Sequence, residues 1–194
     1  MRELRLAKRV AVVTLALAMP LGLMLTASPA GAAKAKAPVT VITKFKGTYT
    51  GNLGLLMVGA AGQSATTVTI TSIHGTGPST KLGTSTINGS VPAASAASQC
   101  TTFTAKGTVA SPKGKLIVVV KASPKQSACA SGTSTPTSVA VKGVATVTSG
   151  TGVYAHTTGT LTFTASFNVS SNTAGSSESD AFHATLAGTL RTKK

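Results

Sequence analysis

The chain has no tryptophan, and only two tyrosines and five phenylalanines among its 194 residues. With so few large rings, an interior has to be packed narrowly with Val, Ala and Leu or left partly open, because small side chains fill a closed sheet poorly. Acids are scarcer still, with Asp and Glu totalling three against eighteen Lys and Arg. Only Asp180 is available to orient a catalytic base. Glu178 and Asp180 sit two apart at a loop-to-strand junction, whereas a glycosidase needs its carboxylates on opposite sides of a substrate; they read as a solvated turn. No Gly-x-Ser-x-Gly elbow is present, and no helix follows the Gly-rich segments to make a phosphate cradle. The histidines, His74, His156 and His183, are solitary, without His-x-His or Cys-x-x-Cys spacing, so no metal site is nominated. Asp180 and His183, three apart, fall on opposite faces of a regular strand and form no dyad. These absences leave no catalytic, cofactor-binding or metal-ligating residue to name.

What is present begins with an export signal. Arg2, Arg5, Lys8 and Arg9 precede an uncharged apolar run from Val10 to Leu25, and small residues around Ala30-Gly31-Ala32 then offer a cleavage site. Residues 1–32 are therefore expected to be a helical signal peptide removed after Ala32. Residues 33–38 form a flexible lead-in, and 39–194 a single secreted domain. No cysteine lies near the cut and no second long apolar run follows, so the mature chain is expected to carry neither a lipid anchor nor a membrane span. Cys100 and Cys129 then meet an oxidising compartment and are expected to pair.

Removing residues 1–32 takes away Arg2, Arg5, Lys8, Arg9 and Glu3, leaving fourteen basic and two acidic residues. Such a surface is attracted to anionic polymers. The lysines are scattered singly, with no basic run interleaved with aromatics, so specific nucleic-acid recognition is not expected.

The mature chain alternates with period two. Val39, Val41, Phe45 and Tyr49 share one face and Lys44, Lys46, Thr48 and Thr50 the other, with Gly51-Asn52 closing the strand. Further strands are predicted at Thr66 to Ile73, at Lys81 to Ile87 before Asn88-Gly89, at Thr101 to Val109, and at Lys115 to Lys121. Three more follow: Thr137 to Thr148; Gly159 to Val169; and a last strand with Phe182, Ala184, Leu186, Gly188 and Leu190 on one face. His183 falls on the opposite, solvent-facing side. Val91 to Gln99, Ala122 to Pro136 and Ser170 to Ser179 read as loops, so the disulfide is expected to staple a loop to the start of a strand. About eight strands with hairpin-length connections and no helical period predict an all-β fold: one antiparallel barrel, which leaves no open edge.

One segment carries a resemblance. Gly150-Thr151-Gly152-Val153-Tyr154-Ala155, with Gly159 four residues on, resembles the hairpin of allene oxide cyclase-like and dirigent-like barrels, its glycines suited to a tight turn. Lys81-Leu82-Gly83 and Ala184-Thr185-Leu186-Ala187-Gly188-Thr189-Leu190 are similar to weaker features of secreted bacterial proteins of that shape. The resemblance implies a calycin-like eight-stranded barrel with a central cavity. The cavity polar and charged groups of those families find no counterpart here.

The residues expected to line or plug the interior are Tyr49, Tyr154, Phe163, Phe167 and Phe182. The function that fits is non-catalytic binding, of a small apolar ligand inside the barrel or of an anionic cell-envelope polymer on its basic surface. A dirigent-like or cyclase-like protein steering a reactive intermediate by shape, and a structural exoprotein without ligand, stand as alternatives.

Overall fold

The computed structural model describes residues 38–96, 99–132 and 134–194. The expected signal peptide and the lead-in up to residue 37 lie outside them. Residues Ala37–Lys194 form one compact unit, built from ten strand segments: β1 (Thr40–Val58), β2 (Thr67–Ser79), β3 (Gly83–Ser95), β4 (Cys100–Thr101), β5 (Ala105–Ser111), β6 (Gly114–Val120), β7 (Ser127–Ala130), β8 (Thr137–Gly150), β9 (Thr157–Val169) and β10 (Ser177–Lys193). A single 3₁₀ turn, Gly152–Tyr154, separates β8 from β9.

Every pairing is antiparallel, and the order β1-β2-β3-β5-β6-β8-β9-β10 returns to β1, closing an eight-stranded barrel. Closure gives each of the eight barrel strands a neighbour on both sides, so a chain rich in β-branched and small residues offers little strand template to a neighbour. The two remaining segments complete broken strands. On β8, β6 pairs through Thr146 to Gly150 and β7 through Val139 to Lys142, so β7 resumes the path of β6 after residues 121–126 leave the sheet. Gln126, buried at that break, donates from Nε2 to the Val144 carbonyl at 3.0 Å. Left without a partner, a buried carbonyl would cost about 1–3 kcal/mol.

Several turn signals in the sequence lie within strands instead. Gly51-Asn52 does not end β1, which continues to Val58. A Cβ at Gly51 would collide with the His74 carbonyl, so glycine here serves close approach of β2 rather than a turn. Asn88-Gly89 is likewise mid-strand in β3, and His74, expected just before a Gly-rich turn, is mid-strand in β2, its Nδ1 2.6 Å from Asn88 Oδ1. Of the expected loop Val91 to Gln99, residues through Ser95 belong to β3. Pro92 is tolerated there because pairing with β5 stops at Ser90, leaving no need for its missing N–H on that side. Val39, placed on the buried face, is exposed. Cys129, expected in a loop, stands on β7 directly opposite Cys100 on β4, and the two form the disulfide.

Candidate functional site

The interior divides along the barrel axis. One end is filled: Phe45, Tyr49, Leu116, Val147, Leu161 and Leu190 are all at most 2 % exposed. Tyr49 Oη lies 3.0 Å from Ser85 Oγ, itself 3.2 Å from Ser79 Oγ, so the buried hydroxyls satisfy one another. Tyr154 closes this end from the turn between β8 and β9, its hydroxyl donating to the Lys81 carbonyl at 3.4 Å. The glycines of that motif have separate tasks. Gly152 takes φ +60°, a Cβ on Gly150 would meet the Tyr154 carbonyl, and one on Gly159 would meet the Thr189 carbonyl of β10.

The other half is hollow, a cavity of about 680 Å³, within the roughly 300–1,000 Å³ of small-molecule sites. Strand register explains the space. Ala184, Ala165 and Val141 lie side by side on β10, β9 and β8, while Gly89 and Gly107 are partners on β3 and β5, all lining the cavity. Small residues on both walls leave the middle unfilled. Phe103 and Phe163 meet edge to face across it, with ring centroids 6.2 Å apart, and Phe167 and Phe182 form an adjacent cross-strand pair. Ile70, Ile73, Val109 and Val139 add aliphatic wall.

Of the five aromatic residues singled out by sequence, Phe163, Phe167 and Phe182 line the cavity, whereas Tyr49 and Tyr154 pack the filled end. Phe103 lines it too; alternation within the predicted strand Thr101 to Val109 was its available signal. The small residues of the two walls had none, because they come together only once their strands pair.

The mouth is built from loops at the end away from Tyr154. On one side the β1–β2 and β9–β10 connections zip together: Ala65 N donates to Asn172 O at 2.7 Å and Ala174 N to Gln63 O at 2.9 Å. On another, the Cys100–Cys129 disulfide clips β4 to β7. Ser171, Asn172, Gln99 and Thr135 supply polar groups to the rim.

Glu178 and Asp180 depart from expectation. They are not in a solvated turn but on β10, opposite Leu55 and Leu53, on the inward face that Phe182 and Ala184 continue. Ser170 N donates to both Glu178 carboxylate oxygens at 3.1 Å. Burial raises the Glu178 carboxyl above its ordinary range despite that bond, and the neighbouring Asp180 charge adds to the rise. Asp180 Oδ2 is buried with no hydrogen-bond partner. His183 is exposed on the outer face, as its strand position requires, and His156 is exposed in the turn after Tyr154. Among the described residues no cluster of His, Cys, Asp and Glu is arranged to hold a metal, and no helix is long and apolar enough to cross a membrane. No family model, curated protein or solved structure matches this chain.

Proposed function

We propose that this is a secreted, non-catalytic binding protein whose barrel takes a small apolar ligand through the mouth formed by the β1–β2, β3–β4, β7–β8 and β9–β10 loops. The observation that carries this reading is the apolar cavity of about 680 Å³, open at one end of a barrel whose other end is tightly packed. Larger residues at Ala165 and Ala184 would occupy part of that space. A wall of Phe, Ile and Val with a polar rim suits an aliphatic or aromatic body carrying one polar group that stays near water.

The test is a thermal-shift and fluorescence titration of the chain from Ala33 onward with an environment-sensitive apolar dye, followed by displacement with fatty acids and aromatic alcohols. Saturable enhancement and a rise in melting temperature are expected. A flat titration across a chemically varied panel overturns the reading. Export is tested by N-terminal sequencing of protein recovered from culture medium, which is expected to begin at Ala33.

A second reading is favoured by one observation. Glu178 and Asp180 share the inward face of β10 near the mouth, which supports a dirigent-like or cyclase-like barrel that steers a reactive intermediate. In that case Asp180→Asn alters the product distribution of a bound intermediate while leaving dye affinity within about twofold.

A further inference from the structure

The charge of the barrel is divided along its axis. At the filled end, the exposed outer positions of β1 are Ile42, Lys44 and Lys46, and β10 sets Arg191 beside Ile42 and Lys193 beside Thr40. Thr80 N donates to the Lys46 carbonyl at 2.8 Å, which brings the β2–β3 turn and Lys81 to the same end. The β5–β6 turn contributes Lys113 and the start of β6 Lys115, whose carbonyls accept from Val153 N at 3.1 Å and Thr151 N at 2.9 Å. Lys194 follows, its N–H bonded to Val39 O at 2.9 Å. Both acids of the barrel, Glu178 and Asp180, stand at the opposite end, and no Lys or Arg occurs in residues 59–66, 95–101, 130–137 or 169–177, which surround the mouth.

Exposed aliphatic side chains accompany these cations. Val39, Ile42 and Val153 are 56 %, 63 % and 63 % exposed. Val153 occupies the outermost turn of this end, between Gly152 and Tyr154, where a polar residue would serve the turn equally well. Cations collected from several chain segments around projecting branched aliphatics suit an interface that is anionic at its surface and apolar a few ångström below. A soluble polyanion would use the lysines but gain nothing from Val153 or Ile42, and both tyrosines are buried, leaving no exposed aromatic here for a base to stack on.

We propose that the filled end of the barrel is a docking surface for an anionic lipid bilayer, which points the ligand mouth away from the membrane. This stands apart from ligand binding, since the same end is presented whether the cavity is empty or occupied. All eight barrel strands lie within Ala37–Lys194, so the chain from Ala33 onward, without the apolar run, is the form to test.

The experiment is co-sedimentation with vesicles of one-third phosphatidylglycerol in phosphatidylcholine and with phosphatidylcholine alone, at low and high salt. Two variants remove equal charge. One changes Lys44, Lys81, Lys113 and Lys115 to Gln at the filled end; the other changes Lys106, Lys121, Lys125 and Lys142 to Gln on the barrel wall. All eight side chains are exposed. The first is expected to weaken binding to anionic vesicles on the order of a hundredfold and the second by less than about tenfold. Val153→Ser is expected to weaken vesicle binding several-fold and leave heparin retention unchanged. Equal losses from the two charge variants would show that net charge alone is read and overturn the proposal. So would absence of binding to anionic vesicles. Vesicle binding indifferent to Val153→Ser and displaced by heparin would identify a soluble polymer as the partner, overturning the lipid assignment.

Discussion

Replacing Ala165 with Leu distinguishes a hollow barrel from a filled one. Ala165 lines the cavity between Val141 on β8 and Ala184 on β10, so three added carbons project into existing space. At about 0.8 kcal/mol per buried methylene the gain is at most ~2.4 kcal/mol. Fixing the Leu rotamer offsets about 0.5–1 kcal/mol of that. A net stabilisation of about 1–2 kcal/mol corresponds to a melting temperature raised by roughly 2–8 °C for a domain of this size. Val147→Phe is the counterpart: Val147 is 1 % exposed in the filled half and outside the cavity, and overpacking there is expected to destabilise by about 1–3 kcal/mol. Urea and thermal unfolding of both variants, with dye titration of Ala165→Leu, supply the readouts. Dye affinity should fall as stability rises. If Ala165→Leu destabilises as Val147→Phe does, the space is not there and the cavity argument fails with it.

Breaking the disulfide with Cys100→Ser removes a cross-link of sequence separation 29; chain entropy places the loss at about 3–4 kcal/mol, read as a drop in the urea midpoint. Tyr49→Phe deletes the bond to Ser85, whose hydroxyl keeps Ser79 as a partner, so a loss of about 1 kcal/mol is expected; no change would mean the hydroxyl is not buried in a bonded network. Gly51→Ala drives a methyl into the His74 carbonyl and is expected to cost about 1–3 kcal/mol, whereas a glycine in a solvent-exposed turn would tolerate it. Glu178, raised from its ordinary 4.5, binds its proton more tightly folded than unfolded. Its contribution to stability is therefore complete below 4.5 and lost as pH rises through the raised value. Glu178→Gln should flatten that part of the melting-temperature profile and leave the variant the more stable protein at neutral pH; an unchanged profile refutes the assignment.

The elements most legible in the sequence are those whose two faces see different surroundings. From Gly159 to Val169, inward Leu161, Phe163, Ala165, Phe167 and Val169 alternate with Thr, Ser and Asn that meet water, and β9 occupies almost that span. The acidic pair was misplaced for the opposite reason. Charge at a strand entrance ordinarily signals solvent, yet Glu178 and Asp180 hold inward positions because β10 pairs with β1 out to Ser177↔Leu56. Glycine misled more often than any other residue. Gly51 and Gly89 look like punctuation, but each lies where a neighbouring backbone comes too close for a Cβ. A chain with few large side chains uses glycine to draw strands together, and such uses are invisible until the partner strand is known. The cavity is hidden for the same reason: Ala165 and Ala184, like Gly89 and Gly107, are far apart in sequence and become neighbours only through register.

The filled half and the hollow half are therefore products of one constraint applied twice. With seven aromatic rings in the whole chain, the barrel places both tyrosines and Phe45 at one end, and the remaining phenylalanines, Phe103, Phe163, Phe167 and Phe182, stand around the cavity instead of filling it. The tyrosines suit the filled end because each hydroxyl finds a protein partner there, at Ser85 and at the Lys81 carbonyl. Had they faced the cavity, their hydroxyls would have needed water or a ligand in an otherwise apolar chamber. The distribution thus keeps the chamber walls apolar and leaves polar atoms to the rim. An apolar ligand with one polar end would find its complement in that arrangement, and exchanging Phe163 for Tyr, which carries a hydroxyl into the cavity, should weaken a purely aliphatic ligand more than one whose polar group reaches inward.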